Sequence, residues 1–522
     1  MPGGPVAVQL EEQPLLPEHD TREDGLQDGT ATPTGASKGD KKKPFPWRNL
    51  MVLMALNSIC PLAFELIYPF VNAMIVEIGV TDDPERVGFY SGLIESVFSL
   101  MSLITILPFG YISDHVGRKP VVLIGMGGLA VSIVCFGLSK SLVGMILSRC
   151  IGGALGASWA AIKVMTGELT DRSNQATAFS IMNVSYRLGQ IIGLPLGGLL
   201  AHPERRWKVF DTPFWHEYPF LLPCLVGAAF AIISVGFGTV FIEETLPAKV
   251  RARRKAKKAS YDSISTPTAQ ADPSAAPLLI SSDAEFGSQT QPAQRAPWRS
   301  IMTPPVLALL CNNACMCIAS EMLFSVYPLF AFTPIASGGL GMSEAQIGTQ
   351  MSVRAVVHVA IMVVYAPVNR RLGTVRLYQV TMVFWAIVVL GFPFLHWVAS
   401  TTPGGTASIM FNLVQFAFFF IWSICGFAWV CMGSMVNDAS PSAEALSLIN
   451  GISQMSIVLP QAISPALANS LFAASVEKHI LGGNLVWVCL FIFTCLGAFH
   501  SLLLKEPEDD WRTKQDEDEH DD

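Results

Sequence analysis

Apolar and polar positions along the chain fall into long blocks. Twelve apolar runs of about twenty residues or more stand out. They centre near Ala63, Phe98, Leu129, Ala154, Ile191, Ala229, Met316, Ile361, Ile387, Ile421, Leu459 and Phe491. A run of that length carries a helix across a hydrocarbon layer ~30 Å thick, so the pattern predicts an all-α integral membrane protein with twelve transmembrane helices. The run near Leu459 is interrupted by Gln454, Pro460, Gln461 and Pro465 and is expected to be broken or kinked, because proline removes a backbone donor. Residues 1–45 are polar and lack the early apolar core of a signal peptide.

Between the sixth and seventh runs the pattern stops. KVRARRKAKKAS opens a stretch rich in Ser, Thr, Pro and Ala that cannot bury a core. The runs therefore divide into a six-helix bundle over residues 47–245 and another over 301–505. A disordered linker (246–300) joins them, with a polar tail (1–46) before and an acidic tail (506–522) after. Basic loops face the cytosol by the positive-inside rule, which puts the linker, KKKPFPWR and NRRLGTVR on that side, and both termini with them. HPERRWK after the fifth run would face outward with its cations, against the rule.

Composition agrees with this reading and narrows the function. Only 14% of the 522 residues are charged, and the mean hydropathy is +0.44, which excludes an ordinary soluble protein. The eleven cysteines lie in or beside the apolar runs, where they behave as small apolar residues. Cys315-x-Cys317 lacks the further ligands of a metal site, so no metal and no cofactor are expected. No phosphate-binding glycine loop and no nucleophile–base arrangement is present, which argues against ATP-driven transport and against an enzyme. The partners expected are the lipid bilayer, protons and a small-molecule substrate, not nucleic acid.

The halves also repeat. Asn57 is followed eight residues later by Glu65 and then by Tyr68-Pro69-Phe70; Asn313 is followed eight residues later by Glu321 and then by Tyr327-Pro328-Leu329-Phe330. PFGYISDHVGRKP after the second run has a weaker echo in APVNRRLGTVR after the eighth. The first of these loops contains Gly110-x-x-x-Asp114-x-x-Gly117-Arg118-Lys119, and its glycines are expected to let the chain turn sharply. Its type and position resemble the loop signature of the major facilitator superfamily. The resemblance implies two pseudo-symmetric six-helix bundles around a central site, with Asp114 and Arg118 as a cytosolic latch between the halves. Plain positive-inside anchoring is the alternative.

SRCIGGALGAS in the fourth run resembles the family's Arg-x-x-x-Gly signature, with Arg149 leading. GQIIGLPLGG in the fifth resembles the antiporter signature of the drug:proton group, although Leu194 separates Gly193 from Pro195. Gly189, Gly193 and Gly197 share one helical face, with Gly198 adjacent, and such a stripe also serves packing alone. GLPLGGLLAHP with EYPFLLPC, SEMLFSVYPLF with SGGLGMSEAQIG, and NGISQMSIVLPQAISPALANSLF together resemble the zinc-induced-facilitator-like branch and its fungal relatives. That branch implies a proton-coupled carrier of small organic solutes, of drug-like or metal-chelator type. Gln461 stands where that branch leads one to expect a cation.

Ionisable side chains inside membrane spans are functional candidates by default. Glu65 and Glu321 at matched places are the leading proton carriers, followed by Glu95 and His358. Arg149, Arg187 and Arg354 are candidates to hold a carboxylate or an anionic substrate group. Asn57, Asn313, Tyr68 and Tyr327, with Tyr186 and Phe324, are candidates to line the cavity. In the N-terminal tail, Glu11, Leu15 and Leu16 of EEQPLL fit an acidic-dileucine signal for sorting adaptors, which directs expectation to a vacuolar or lysosomal membrane, with the plasma membrane as alternative. The function expected is a proton-coupled secondary transporter working by alternating access. A uniporter, or a receptor derived from a transporter, is the alternative.

Overall fold

The computed structural model describes residues 46–156, 158–170, 172–246, 302–439 and 443–505, and every regular element among them is helical. The membrane helices, in chain order, are α1 (Trp47–Glu77), α2 (Pro84–Val116), α3 (Arg118–Gly137), α4 (Leu142–Leu169), α5 (Arg172–Leu200), α6 (Leu221–Phe241), α7 (Pro304–Phe332), α8 (Glu344–Met362 with Tyr365–Leu372), α9 (Thr374–Thr401), α10 (Ile409–Asp438), α11 (Ala443–Glu477) and α12 (Leu485–Ser501). Among the described residues, nine are long and apolar enough to cross a membrane, and the bent pair of α8 makes a tenth. α5 has the length, with 29 residues, but carries more polar side chains, and α12 is short at 17 residues. Each of the twelve contains one of the apolar centres of the sequence. Leu107, Ile233, Val240, Leu413 and Phe499 stand exposed on the outside, a surface that suits lipid rather than water.

Proline decides where two of these helices break. Pro69 has no amide to give the Glu65 carbonyl, so Tyr68 N closes on it instead at 3.0 Å, and Glu65–Ile67 form a 3₁₀ turn inside α1. Pro367 likewise has nothing for the Val363 carbonyl, and α8 bends by 51° there. α11, by contrast, runs as one unbroken helix through Pro460 and Pro465, so of the break or kink expected there the break does not occur. Hydrogen bonds from α7 and α2 hold it along its length: Asn313 to Ser453, Cys317 to the Ile457 carbonyl, and Ala466 N to Ser96.

α1 packs on α5 and α6, α3 on α4 and α6, and α2 on α4. The second half repeats this, with α7 on α11 and α12, α9 on α10 and α12, and α8 on α10. Gly189, Gly193 and Gly197 bring α5 against α1 so closely that a side-chain carbon on them would lie 2.0, 2.6 and 1.9 Å from the carbonyl oxygens of Ser58, Leu62 and Leu66. Only glycine fits there.

The halves meet mainly along two seams, α2 with α11 and α5 with α8, at the end away from the linker. Both are built alike. Gly92 and Gly348 stand at the same interval as Asn57 and Asn313, and so do Ser96 and Ser352. A carbon added to Gly92 would lie 2.8 Å from the Pro465 carbonyl oxygen, and one on Gly348 would lie 2.4 Å from that of Leu194. One turn on, the serines bond in opposite senses. Ser96 Oγ accepts from Ala466 N at 2.8 Å, whereas Ser352 Oγ donates to the Ile191 carbonyl at 2.7 Å. The cause is Pro195, which removes the amide that would otherwise serve Ile191.

The cations of HPERRWK, expected to face outward, are met locally. Arg205 pairs with Glu77 and Glu204 at 3.2 and 3.4 Å, and Arg206 donates to the Leu199 carbonyl at the end of α5. These contacts offset the charge that the positive-inside rule counts.

Candidate functional site

Asn57 and Asn313, both buried, begin the site by tying α1 to α5 and α7 to α11. Asn57 Nδ2 donates to Ser185 Oγ at 2.7 Å and to the Met182 carbonyl at 2.9 Å. Asn313 Nδ2 donates to Ser456 Oγ at 2.7 Å and to Ser453 Oγ at 3.1 Å. About two turns further on, each half presents its glutamate to a glutamine. Gln190 Nε2 donates to Glu65 Oε2 at 2.6 Å, and Gln461 Nε2 to Glu321 Oε1 at 3.4 Å. Ser185 and Gln190 stand at the same interval from Ser456 and Gln461, so the whole brace is duplicated.

The copies differ in tightness. Glu65 also accepts from Tyr186 Oη at 2.7 Å, and Gln190 is itself pinned by Arg187 Nη1 at 2.7 Å. Both oxygens of Glu65 are therefore acceptors, as in a carboxylate. On proton arrival the Tyr186 hydroxyl can turn and accept instead. Glu321 has the single long bond to Gln461 and is less buried, so it is the freer of the two.

Around these carboxyls lies a cationic layer. Glu65 is within electrostatic reach of Arg187 and Arg354, Glu321 of Glu65 and Arg187, and His358 of both arginines. Arg354 is seated between Phe324 and Trp422, with its guanidinium 5.0 and 4.6 Å from the ring centroids. Arg149 is 1% exposed and enclosed by Phe64, Phe98 and Phe136 at 4.9–5.7 Å, and its three guanidinium nitrogens make no hydrogen bond among the described residues. Ring faces take the place of hydrogen bonds there, each such contact being worth ~2 kcal/mol or more when dry. The His358 ring occupies the space left by Gly426 in α10.

The aromatic candidates separate. Tyr68 meets Phe324 edge-on across the two halves at 5.5 Å, and these two stand at the repeat interval. Tyr327 lies inside the second half instead, among Phe392, Phe419 and Trp422, with its hydroxyl accepting from Gln415 at 2.8 Å.

In the loop signature, Gly117 alone makes the turn, at φ +116°; Gly110 lies inside α2, which runs on to Val116. The expectation that both glycines turn the chain is corrected accordingly. Arg118 pairs with Asp114 at 2.5 Å and Glu168 at 3.2 Å, while Glu244 accepts from the amides of Arg118 and Lys119 at 2.9 and 3.3 Å and so caps α3. Lys119 Nζ donates to the Thr239 and Ile242 carbonyls at the end of α6. All these bonds stay within the first half. At the linker end, Lys163 reaches across from α4 to Gln454 Oε1 in α11 at 3.0 Å.

Sequence reasoning did not single out Lys163, Ser185, Gln190, Glu168, Glu244, Ser325 or Asn469. Ser185, Gln190 and Asn469 emerge only when α5 is aligned with α11 by itself, at a longer interval than the one that relates Asn57 to Asn313; nothing local marks the others. Glu11, Leu15, Leu16, most of the linker and the acidic tail lie outside the described residues.

The Major Facilitator Superfamily sequence profile matches residues 53–337 and 315–521. The major facilitator-type transporter psiT2 of Psilocybe cyanescens is 29% identical over 484 residues, covering 88% of this chain and 90% of its own. ZINC INDUCED FACILITATOR 1 of Arabidopsis thaliana is 24% identical, covering 88% and 91%. A crystal structure of a bacterial homologue of the human lysosomal transporter Spinster, inward-facing and unoccupied, superposes with a TM-score of 0.61 at 13% identity, covering 88% and 97%. The duplicated bundles, the loop signature and the profile over both halves agree: the chain belongs to the Major Facilitator Superfamily.

Proposed function

We propose that this transporter moves a small organic solute, of drug-like or metal-chelator type, in exchange for protons by alternating access. One observation carries the reading: two carboxyls, Glu65 and Glu321, are held in duplicated polar braces inside otherwise apolar helices, within electrostatic reach of each other and of the Arg187 guanidinium. Carboxyls at that depth are costly to maintain unless they exchange protons or bind cargo. Glu321, with the looser brace, is the principal proton carrier; Glu65, Arg187 and Arg354 shape the substrate subsite, with His358 behind them. The dileucine motif supports a vacuolar or lysosomal membrane.

The test is uptake into proteoliposomes from a panel of organic solutes, with and without an imposed pH gradient. Wild type is expected to accumulate substrate only with the gradient. Glu321→Gln keeps the shape but cannot titrate, and should abolish accumulation while retaining binding or exchange; Glu65→Gln should weaken it less. Accumulation by both variants at the wild-type pH dependence would move the coupling site elsewhere. Flux indifferent to the gradient in wild type would make the protein a uniporter.

A further inference from the structure

One buried carboxyl does not share the symmetry of the rest. Glu95 in α2 accepts a hydrogen bond at Oε2 from Ser325 Oγ of α7, across the two halves, and Asn469 Nδ2 of α11 donates to the same Ser325 oxygen at 3.0 Å. The three residues are 5%, 4% and 0% exposed. The hydroxyl has one hydrogen and uses it toward Glu95, so the chain of donors runs Asn469 to Ser325 to Glu95 without conflict.

The seam that they bridge is otherwise a copy of its partner. Gly92 and Ser96 repeat as Gly348 and Ser352, with the same close backbone approach. At the places matching Glu95, Ser325 and Asn469, the α5–α8 side has Met351, Pro69 and Gly198, none of which can form this chain. Tight packing and one serine–backbone bond therefore close each seam, and the triad is an addition confined to α2–α11. Burying a carboxylate between two bodies is expensive unless it is hydrogen-bonded, and breaking such a bond leaves the charge unpaired. Arg149, within electrostatic reach of Glu95, spends its guanidinium on ring faces and makes no hydrogen bond to it.

We propose that Glu95 is a positioning residue: a clasp, fastened through Ser325 to Asn469, that holds the α2–α11 seam shut and is released each time the halves part, and not a carrier of protons. This rests on the alternating-access reading above. It also gives a polar origin to any difference between the two seams: each has one serine–backbone bond, but only this one has in addition a buried carboxyl whose bond must be broken before the helices separate.

The test uses full-length protein in proteoliposomes, with fluorophores introduced as non-natural amino acids at Lys208 and Gly404, which are exposed in opposite halves at the seam end. Their energy transfer reports the fraction closed there. Glu95→Ala and Ser325→Ala should each shift the closed-to-open ratio about tenfold toward open, as expected for losing one partner of a buried charged hydrogen bond. Their combination should do no more than either alone, because both remove the same interaction. Glu95→Gln keeps an acceptor for Ser325 and should stay within about twofold of wild type, with gradient-driven accumulation intact. A disulfide between Glu95→Cys and Ser325→Cys should arrest transport until it is reduced. The clasp is refuted by any of three results: no shift in Glu95→Ala, loss of accumulation in Glu95→Gln, or transport continuing through the cross-linked form. Failure of the proton-coupling assignment would appear separately, in Glu321→Gln and Glu65→Gln, whose side chains make no bond across this seam.

Discussion

Asp114, which the family resemblance makes half of a latch, bonds only within its own half among the described residues. Its carboxylate is 59% exposed, and its partner Arg118 is shared with Glu168 on α4. An exposed ion pair contributes ~0–1 kcal/mol, so Asp114→Asn should leave the yield and melting temperature of the purified protein close to wild type. Flux should fall several-fold or more if Asp114 gates passage between facing states, as the resemblance implies. Wild-type flux would reduce the signature to a capped turn. At this scale the sequence was readable where a residue has one possible use: Gly117 needs its positive φ, and Gly197 admits no side chain. It was unreadable for Glu168 and Glu244, ordinary acidic residues whose meaning comes only from the arginine and the helix end they reach across the fold.

Among the elements, α5 and α8 carry the clearest expectation. Pro195 leaves the Ile191 carbonyl without an intrahelical donor, and Ser352 supplies one from the other half. Ser352→Ala should therefore cost ~1–3 kcal/mol of seam stability, the usual penalty for orphaning a buried acceptor. Pro195→Ala returns an amide to α5, and in that background Ser352→Ala should cost much less. A double-mutant cycle on the closed fraction or on thermal stability measures the difference; additive effects would mean that the two residues do not share the carbonyl. Helix positions were legible throughout, because twelve apolar runs leave few alternatives. Their interruptions were not. Proline broke α1 at Pro69 and α8 at Pro367 but passed through α11 at Pro460 and Pro465, and the outcome depended on donors from neighbouring helices that no local pattern reveals.

For the whole molecule, the duplication was legible in Asn57, Glu65, Asn313 and Glu321, and it reached further than those four. The same interval pairs Gly92 with Gly348 and Ser96 with Ser352, so a comparison of the halves extended past the first match would have located both seams. The asymmetries are the harder part, since Ser325 looks like any serine until Glu95 is found against it. The proposed placement in the cell rests on other residues, those of EEQPLL. Leu15→Ala with Leu16→Ala should redirect a tagged protein from the vacuolar or lysosomal membrane to the cell surface, read by microscopy and surface biotinylation. An unchanged distribution would make EEQPLL a chance match.

The reversed serines have one more consequence, which concerns hydration. If the α2–α11 seam parts, Ala466 N can turn back to a carbonyl of its own helix, so the backbone there needs no new partner. If the α5–α8 seam parts, the Ile191 carbonyl has no such refuge, because Pro195 offers nothing. A water molecule must take the place of Ser352. On that side separation and wetting are a single event. Lowering water activity with an excluded osmolyte should therefore slow opening of the wild type more than that of Pro195→Ala, whose restored amide can serve the Ile191 carbonyl.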